Sequence, residues 1–317
     1  MKRRHLLAAS GAALAGVATR SRAQAWPDRP IRMVIPYPPG GGTDIAGRIV
    51  AAKLGDILGQ PVVVDNRGGG GGIIGTRAVG QSPADGYTLL FNGTLSVLRD
   101  NFDPRTVITH NVRVLATHNL LVLNEHVPSK TVPDFIAYAK ERPGQLNHGT
   151  AGPLSSQHLA AVMFDLYAGT KIENVHYRGT GPSIAGLLTN EVQLMFGSMS
   201  AVLPLIQEGK IRALATSSGE RSQMLKELPT VGEFVPNYAS ELTYSISTPN
   251  GTPRAITARI DEVVRKMLAD RPTVEMLSTR GFENAYMAED TLAAQIESDV
   301  QKWGDVVRRA GLDMGMG

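Results

Sequence analysis

The chain has 317 residues, of which 42% are hydrophobic and 5% aromatic, a composition typical of ordinary globular proteins. It contains no cysteine, which excludes disulfides, thiol catalysis and cysteine–metal sites. The net charge of +3 is concentrated at the start: residues 1–25 hold five of the 32 basic residues and no acidic one, so the rest carries 27 against 29. This balance leaves no basic surface for nucleic acid or an anionic membrane.

The first 25 residues have the plan of a bacterial export signal, with a basic start, an apolar middle and a small-residue end at Ala23–Ala25. Adjacent Arg3 and Arg4 also fit a twin-arginine signal, so the export route stays open between that system and general secretion. The middle is too short and too weakly apolar to favour the alternative of an uncleaved anchor. We expect cleavage before Trp26, which leaves 292 residues (317 less 25), a length that suits two domains.

The segment Pro36–Arg48, PYPPGGGTDIAGR, follows a short apolar run and predicts a strand, a tight loop and a helix N-terminus. Glycines let a ligand approach backbone N–H groups, and the first helical turn adds unpaired amides and a positive dipole end. The segment therefore predicts an anion site, most simply for a carboxylate or phosphate; the alternative is a turn capped by Thr43 or Asp44. Asp44 would either brace the loop or hold an ammonium or hydroxyl of the ligand. The residues of this predicted cradle are Gly40, Gly41, Gly42, Thr43 and Asp44.

The next elements are a helix over Thr43–Leu58 and a strand over Pro61–Asp65, followed by the glycine run Gly68–Gly72. Gly70, Gly72 and Gly75 match G-x-G-x-x-G, but the following strand, Tyr87–Phe91, does not end in the acidic residue that a dinucleotide fold needs. We therefore expect a wall of the cradle here rather than a nucleotide site. The residues after that strand that we place at the ligand are Asn92, Gly93 and Thr94.

A second unit repeats this logic, after a polar stretch over 95–113 without an assigned element and one or two strands over Arg113–Asn124. A helix is predicted over Val132–Lys140. Three glycine-, serine- and threonine-rich loops then follow the predicted strands Leu146–His148, Glu173–Tyr177 and Glu191–Phe196, and Ser155 and Ser156 can cap a helix that runs to about Ala168. In open α/β sheets, the carboxyl ends of the strands are where ligands bind. The loop residues predicted at the ligand are Thr150, Ala151, Gly152, Ser155, Ser156 and His158, then Arg178, Gly179 and Thr180, then Gly197 and Ser198.

The chain is then predicted to return to its first domain through a strand over Tyr244–Thr248. Helices are predicted over Arg254–Asp270 and Glu289–Ala310, the last with Leu292 and Trp303 in the core. The predicted architecture is α/β with two lobes, each a mixed sheet flanked by helices, and a cleft between them. Domain 1 comprises residues 26–124 and 241–317, and domain 2 comprises residues 125–240. Two lobes joined by crossing strands are well suited to closing on a small solute.

Several segments together resemble the Bug family, the periplasmic solute receptors of tripartite tricarboxylate transporters. They are WPDRPIRMVIPYPPGGGTD, LGQPVVVDNRGGGGG, ADGYTLL, HGTAGPLSSQHLA, VHYRGTGPS, GKIRALA, LPTVGE and KWGDVVRRAG, and they span essentially all of residues 26–312. The resemblance implies two lobes of the type II periplasmic-binding-protein kind. It also implies capture of a small carboxylate, mostly through backbone amides and hydroxyls of the loops named above.

Three segments depart from the family pattern. The loop over 95–112 is shorter, Gly197 stands in MFGSMS where the family usually has an aspartate, and Gly68–Gly70 replaces Pro-Gly-Ala. All three are expected near the cleft. The class of ligand is therefore better specified than its identity.

The same residues weigh against an enzyme. Neither Ser155/Ser156 nor Ser198/Ser200 sits in a nucleophile motif, and His158, three residues after Ser155, is better placed for local hydrogen bonding than for catalysis. The histidines lack metal-ligand spacing, so we expect neither a metal nor a cofactor. We expect a monomeric receptor that delivers a carboxylate to membrane permease subunits. The alternatives are a sensory module for a membrane kinase and a hydrolase that uses the cleft.

Overall fold

The computed structural model describes residues 26–93, 102–222 and 224–312. The predicted export signal, the predicted ligand residue Thr94 and the first part of the loop over 95–112 lie outside these residues. The strands are β1 (Ile31–Ile35), β2 (Val62–Asn66), β3 (Thr88–Gly93), β4 (Ile108–Asn124), β5 (Asn147–Thr150), β6 (Glu173–His176), β7 (Leu194–Ser198), β8 (Ile211–Thr216), β9 (Glu241–Pro249) and β10 (Glu283–Ala288). The helices are α1 (Gly42–Leu58), α2 (Ile73–Gly80), α3 (Val132–Lys140), α4 (Ser156–Ala168), α5 (Thr180–Leu188), α6 (Met199–Gln207), α7 (Arg254–Ala269), α8 (Arg271–Ser278) and α9 (Glu289–Arg309).

The first lobe is built on parallel strands in the order β2–β1–β3, and antiparallel β9, β4 and β10 complete its sheet. Helix α1 places its buried residues, among them Ala46, Val50 and Leu54, against this sheet, in one core with Phe91 and Tyr244. The connection from β1 to α1 is therefore held at the carboxyl edge of the sheet.

The second lobe repeats the arrangement with parallel strands in the order β6–β5–β7, followed by antiparallel β4 and β8. Each of β5, β6 and β7 is followed by a helix, α4, α5 and α6 respectively. The three loops that carry the predicted ligand residues of this lobe consequently lie at one edge of its sheet. Both lobes are mixed sheets with flanking helices, as predicted.

Strand β4 joins the lobes because its two halves belong to different sheets. Up to His118, which pairs with Glu241, it is bonded to β9; from Asn119, which pairs with Ser198, it is bonded to β7. The sequence left open whether one or two strands lie over Arg113–Asn124, and a single strand is observed that begins earlier, at Ile108. The change of partner lies at the base of the cleft.

Helix α9 packs against both lobes. Its residues Trp303, Val306 and Val307 belong to the core of the second lobe, together with Phe135 and Phe164, whereas other parts of the helix contact β10 and β4. The predicted division into residues 26–124 with 241–317, and 125–240, stays a prediction.

Most predicted helices are confirmed, including Val132–Lys140 and the helix that Ser155 caps. The prediction of a strand over Glu191–Phe196 is wrong at its start, because the amides of Glu191 and Val192 both donate to the carbonyl of Gly186 and close a turn. Strand β7 begins at Leu194 and extends to Ser198, so Gly197 and Ser198 lie in the strand rather than in a loop. Helices α2 and α8 and strand β10 were not predicted.

Candidate ligand-binding site

A cavity of about 70 Å³ lies between the two lobes and is lined by both. From the first lobe and its connection to the second, the lining residues are Tyr37, Pro38, Gly41, Gly42, Thr43, Gly93, Ser240, Glu241, Leu242, Thr243 and Tyr244. From the second lobe and α9 they are Ala151, Leu154, Ser155, Ser156, Gln157, Leu159, Gly179, Thr180, Ser198 and Trp303.

The N-termini of four helices meet at this cavity. The N-cap residues are Gly41 of α1, Ser155 of α4, Gly179 of α5 and Ser198 of α6, and all four line it. Each N-terminus contributes backbone N–H groups without a partner inside the helix and the positive end of a helix dipole. The convergence makes the cavity a favourable place for an anion.

The lobes touch at the cradle through residues that have no side chain. A Cβ on Gly42 would lie 2.7 Å from Ser198 Oγ, and a Cβ on Gly41 would lie 3.3 Å from Thr180 Oγ1. Gly179 lies against the ring of Pro38 in the same way. The backbone of one lobe therefore approaches the other as closely as glycine allows.

Asp44 braces the cradle from behind and does not line the cavity. Its buried carboxylate accepts hydrogen bonds from the Gly40 N–H at 3.0 Å, from Arg48 Nε at 3.0 Å and from Asn66 Nδ2 at 2.9 Å. Burial alone would raise the pKa of Asp44, but these hydrogen bonds and the Arg48 charge outweigh it and lower that pKa below its ordinary value. These partners hold Gly40 and the start of α1 in place.

A neutral imidazole braces the facing loop of the second lobe. His158 Nδ1 accepts the Leu154 N–H at 2.9 Å, and Leu154 has a left-handed backbone with φ of 57°. The backbone N–H of His158 donates to Ser155 Oγ, so the side chains of these two residues do not form a nucleophile–base pair. Thr150 stabilises the same loop: its Oγ1 lies 2.7 Å from His176 Nδ1 and accepts the Gly152 N–H at 3.1 Å.

The structure brings about half of the predicted ligand residues to the cavity wall. Those that line it are Gly41, Gly42, Thr43, Gly93, Ala151, Ser155, Ser156, Gly179, Thr180 and Ser198. Those described elsewhere are Gly40, Asp44, Asn92, Thr150, Gly152, His158, Arg178 and Gly197.

For two of the predicted residues that do not line the cavity, Arg178 and Gly197, the structure shows the reason. The side chain of Arg178 is on the exposed surface beyond the lining residues. Gly197 is buried in β7, where a Cβ would lie 2.4 Å from Val202 Cγ1, so a larger residue there would require α6 to move. Arg67, the other arginine near the glycine-rich loops, is paired with Asp65 at 2.7 Å.

Sequence reasoning missed the wall that β9 and α9 provide. Residues Ser240–Tyr244, at the start of β9, line the cavity. The Tyr244 hydroxyl lies next to the Thr43 side chain. Trp303 is in the predicted core and also faces the cavity. The local signal for a strand was present, but its place beside the cradle depends on pairing with β3 and β4, which are far away in the chain.

A two-lobed α/β protein with a cavity between its lobes, lined by the N-termini of four helices, has the architecture of a periplasmic solute-binding protein. The model of the family described as "Tripartite tricarboxylate transporter family receptor" (TctC) matches residues 46–312. Protein BugT of Bordetella pertussis is 34% identical over 308 residues, which cover 94% of each chain. The chain belongs to this family of receptors.

Solved structures show the same relationship. Rpa4515 of R. palustris, solved with adipate, is 31% identical and superimposes with a TM-score of 0.84 over 91% of this chain and 99% of its own. MatC from Rhodopseudomonas palustris, solved with bound malate, is 25% identical with a TM-score of 0.81 over 89% and 99%.

Within residues 26–93, 102–222 and 224–312, no group of histidines and carboxylates has the geometry to hold a metal ion. Over the same ranges, no helix combines the length and apolarity needed to cross a membrane.

The histidines around the second-lobe loop predict a loss of stability in mild acid. Burial, reinforced by the neighbouring histidines, lowers the pKa of His148 to about 3 and that of His158 to about 4. As pH falls below about 6.5, protons therefore bind the unfolded chain first, and each histidine reduces the unfolding free energy by about 1.4 kcal/mol per pH unit until its folded pKa is reached.

We expect urea denaturation between pH 7 and pH 5 to show that the unfolding free energy falls with pH at this rate. His158→Gln should reduce the slope by the contribution of one proton, about 1.4 kcal/mol per pH unit. His126→Gln, at an exposed position, is the control and should keep the wild-type slope. An unchanged slope in His158→Gln would contradict the neutral, buried imidazole.

Proposed function

We propose that the protein binds a small organic carboxylate in the cavity, that the lobes close on it, and that the closed form delivers it to the permease subunits of a tripartite tricarboxylate transporter. The observation that carries this proposal is the meeting of four helix N-termini at one cavity, one from the first lobe and three from the second. A ligand that contacts both lobes at once shifts the population toward the closed form.

The chemistry of the wall supports a carboxylate with a short body. Backbone N–H groups and the hydroxyls of Thr43, Ser155 and Thr180 can donate to its oxygens. Leu154, Leu242 and other apolar side chains are available for a hydrocarbon segment. The carboxylates named with two solved relatives, adipate and malate, agree with this class.

Export to the periplasm is part of the proposal. We expect removal of Met1–Ala25 and a mature chain that begins at Trp26, because small residues at positions 23–25 precede that point. Intact-mass measurement of protein released from the periplasm checks this. A mass that still includes residues 1–25 would contradict cleavage at this site.

The cavity volume predicts a preference for short acids. At about 10–15 Å³ for each water-sized occupant, 70 Å³ holds about five to seven, which matches the heavy atoms of malonate and is exceeded by each longer diacid. In calorimetric titrations of malonate, succinate, glutarate and adipate, we therefore expect affinity to fall as the chain lengthens and to be lowest for adipate. Leu242→Ala, which enlarges the wall, should restore adipate binding relative to succinate.

The matched control is Leu188→Ala, at a residue that is 41% exposed and does not line the cavity. Equal chain-length profiles for wild type and Leu242→Ala would contradict the role of this cavity in selecting length. If none of the acids bound, the proposed function itself would be wrong.

Closure is tested by a pair of glycine substitutions. Gly42→Ala puts a methyl group 2.7 Å from Ser198 Oγ and should prevent the close approach of the lobes, whereas Gly181→Ala meets nothing within 4 Å. We expect at least about a tenfold loss of carboxylate affinity for Gly42→Ala, about 1.4 kcal/mol, and no loss for Gly181→Ala. Small-angle scattering with and without ligand should show compaction only in wild type and Gly181→Ala; compaction of Gly42→Ala would contradict the mechanism.

A further inference from the structure

Four buried polar atoms in residues of the cavity wall have no hydrogen-bond partner among the described protein atoms: the hydroxyl oxygens of Ser198, Ser240 and Tyr244 and Oε1 of Gln157. Two of them, Ser198 Oγ and Gln157 Oε1, lie at helix N-termini of the second lobe, in residues that are 2% and 3% exposed. Both residues line the cavity. Since buried polar atoms in proteins are nearly always paired, these two are available to a polar group that enters the cavity.

Both atoms belong to the second lobe and lie beside the cradle of the first. Ser198 Oγ is the atom nearest to the missing Cβ of Gly42. The Gln157 amide donates through Nε2 to Thr180 Oγ1 at 3.0 Å, and that oxygen is the atom nearest to the missing Cβ of Gly41. Ser198 and Gln157 therefore flank the first turn of α1, where the carboxylate is expected, the glutamine through its contact with Thr180.

A group that both donates and accepts can pair with both atoms. The amide oxygen of Gln157 can only accept, whereas the Ser198 hydroxyl can donate. A ligand hydroxyl satisfies both, because it donates to the amide oxygen and accepts from the serine. A carbonyl on the ligand would satisfy only the serine.

We propose that Ser198 and Gln157 form a subsite for a hydroxyl on the carbon next to the bound carboxylate, so that the preferred ligand is a 2-hydroxy acid. This inference rests on the proposed function and specifies its ligand. The subsite lies at the closure contact, so the hydroxyl adds second-lobe contacts that only the closed form makes.

The test compares acids that differ by one oxygen. We expect calorimetry on the mature chain to show about tenfold tighter binding of 2-hydroxypropanoate than of propanoate, as two added hydrogen bonds would give, with 2-oxopropanoate between the two because it gains only the bond from Ser198. Ser198→Ala and Gln157→Met should each reduce this preference to less than about threefold.

Ser183→Ala is the matched control. Ser183 Oγ is equally buried and unpartnered, but it lies on α5 away from the cavity wall, so its removal should leave the tenfold preference unchanged. Melting temperatures of the free variants show whether each one folds, and the preference is a ratio measured within one variant, so a general loss of affinity cancels.

Equal binding of propanoate and 2-hydroxypropanoate by the wild type would overturn the subsite and leave the two atoms to ordered water. A preference that persisted in both Ser198→Ala and Gln157→Met would overturn the assignment of these residues. Binding of none of the acids would contradict the proposed function instead.

Discussion

The close approach of Gly41 and Gly42 to Thr180 and Ser198 is the constraint on which the cavity depends. Only bare backbone can lie this near to the facing lobe, and the approach brings the first amides of four helices to one small space. An unpaired polar group in such a place costs about 1–3 kcal/mol, so an empty closed cavity is unfavourable. An anion that accepts from these amides removes the penalty, which links occupancy to closure.

The two lobes hold their halves of the cradle by different chemistry. In the first, the Asp44 carboxylate accepts a hydrogen bond from the Gly40 N–H and forms an ion pair with Arg48. The positive charge of Arg48 offsets the negative charge of the carboxylate, which weakens its repulsion of a nearby anion. In the second, uncharged His158 accepts the Leu154 N–H. This bond holds Leu154 in a left-handed backbone conformation that glycine usually adopts. Both braces lie behind the wall, which leaves the cavity-facing backbone free for the ligand.

The sequence predicts those parts of the site whose chemistry is local. A strand, a glycine-rich turn and an amphipathic helix identify the Gly41–Thr43 cradle, and the same pattern identifies the loops at Ser155, Gly179 and Ser198. The sequence does not say which way a side chain points. Arg178 is therefore a candidate ligand residue from the sequence, and only the structure shows that its side chain is exposed. For His158 the sequence predicts both a place among the loop residues at the ligand and local hydrogen bonding, and the local role is the one observed, because its Nδ1 accepts the Leu154 N–H of the same loop.

The part that could not be predicted comes from the exchange of partners along β4. Because this strand leaves β9 at His118 and joins β7 at Asn119, the start of β9 comes to lie along the cavity, with Ser240 bonded to Ser217 at the crossing. Lys302 of α9 donates to the Ala239 carbonyl in the same crossing, and its neighbour Trp303 faces the cavity from the second-lobe core. The connection between the lobes is thus itself a wall of the cavity. A ligand held there contacts both lobes and the segment that links them. One small solute can therefore interact with each part of the protein that moves when the lobes close.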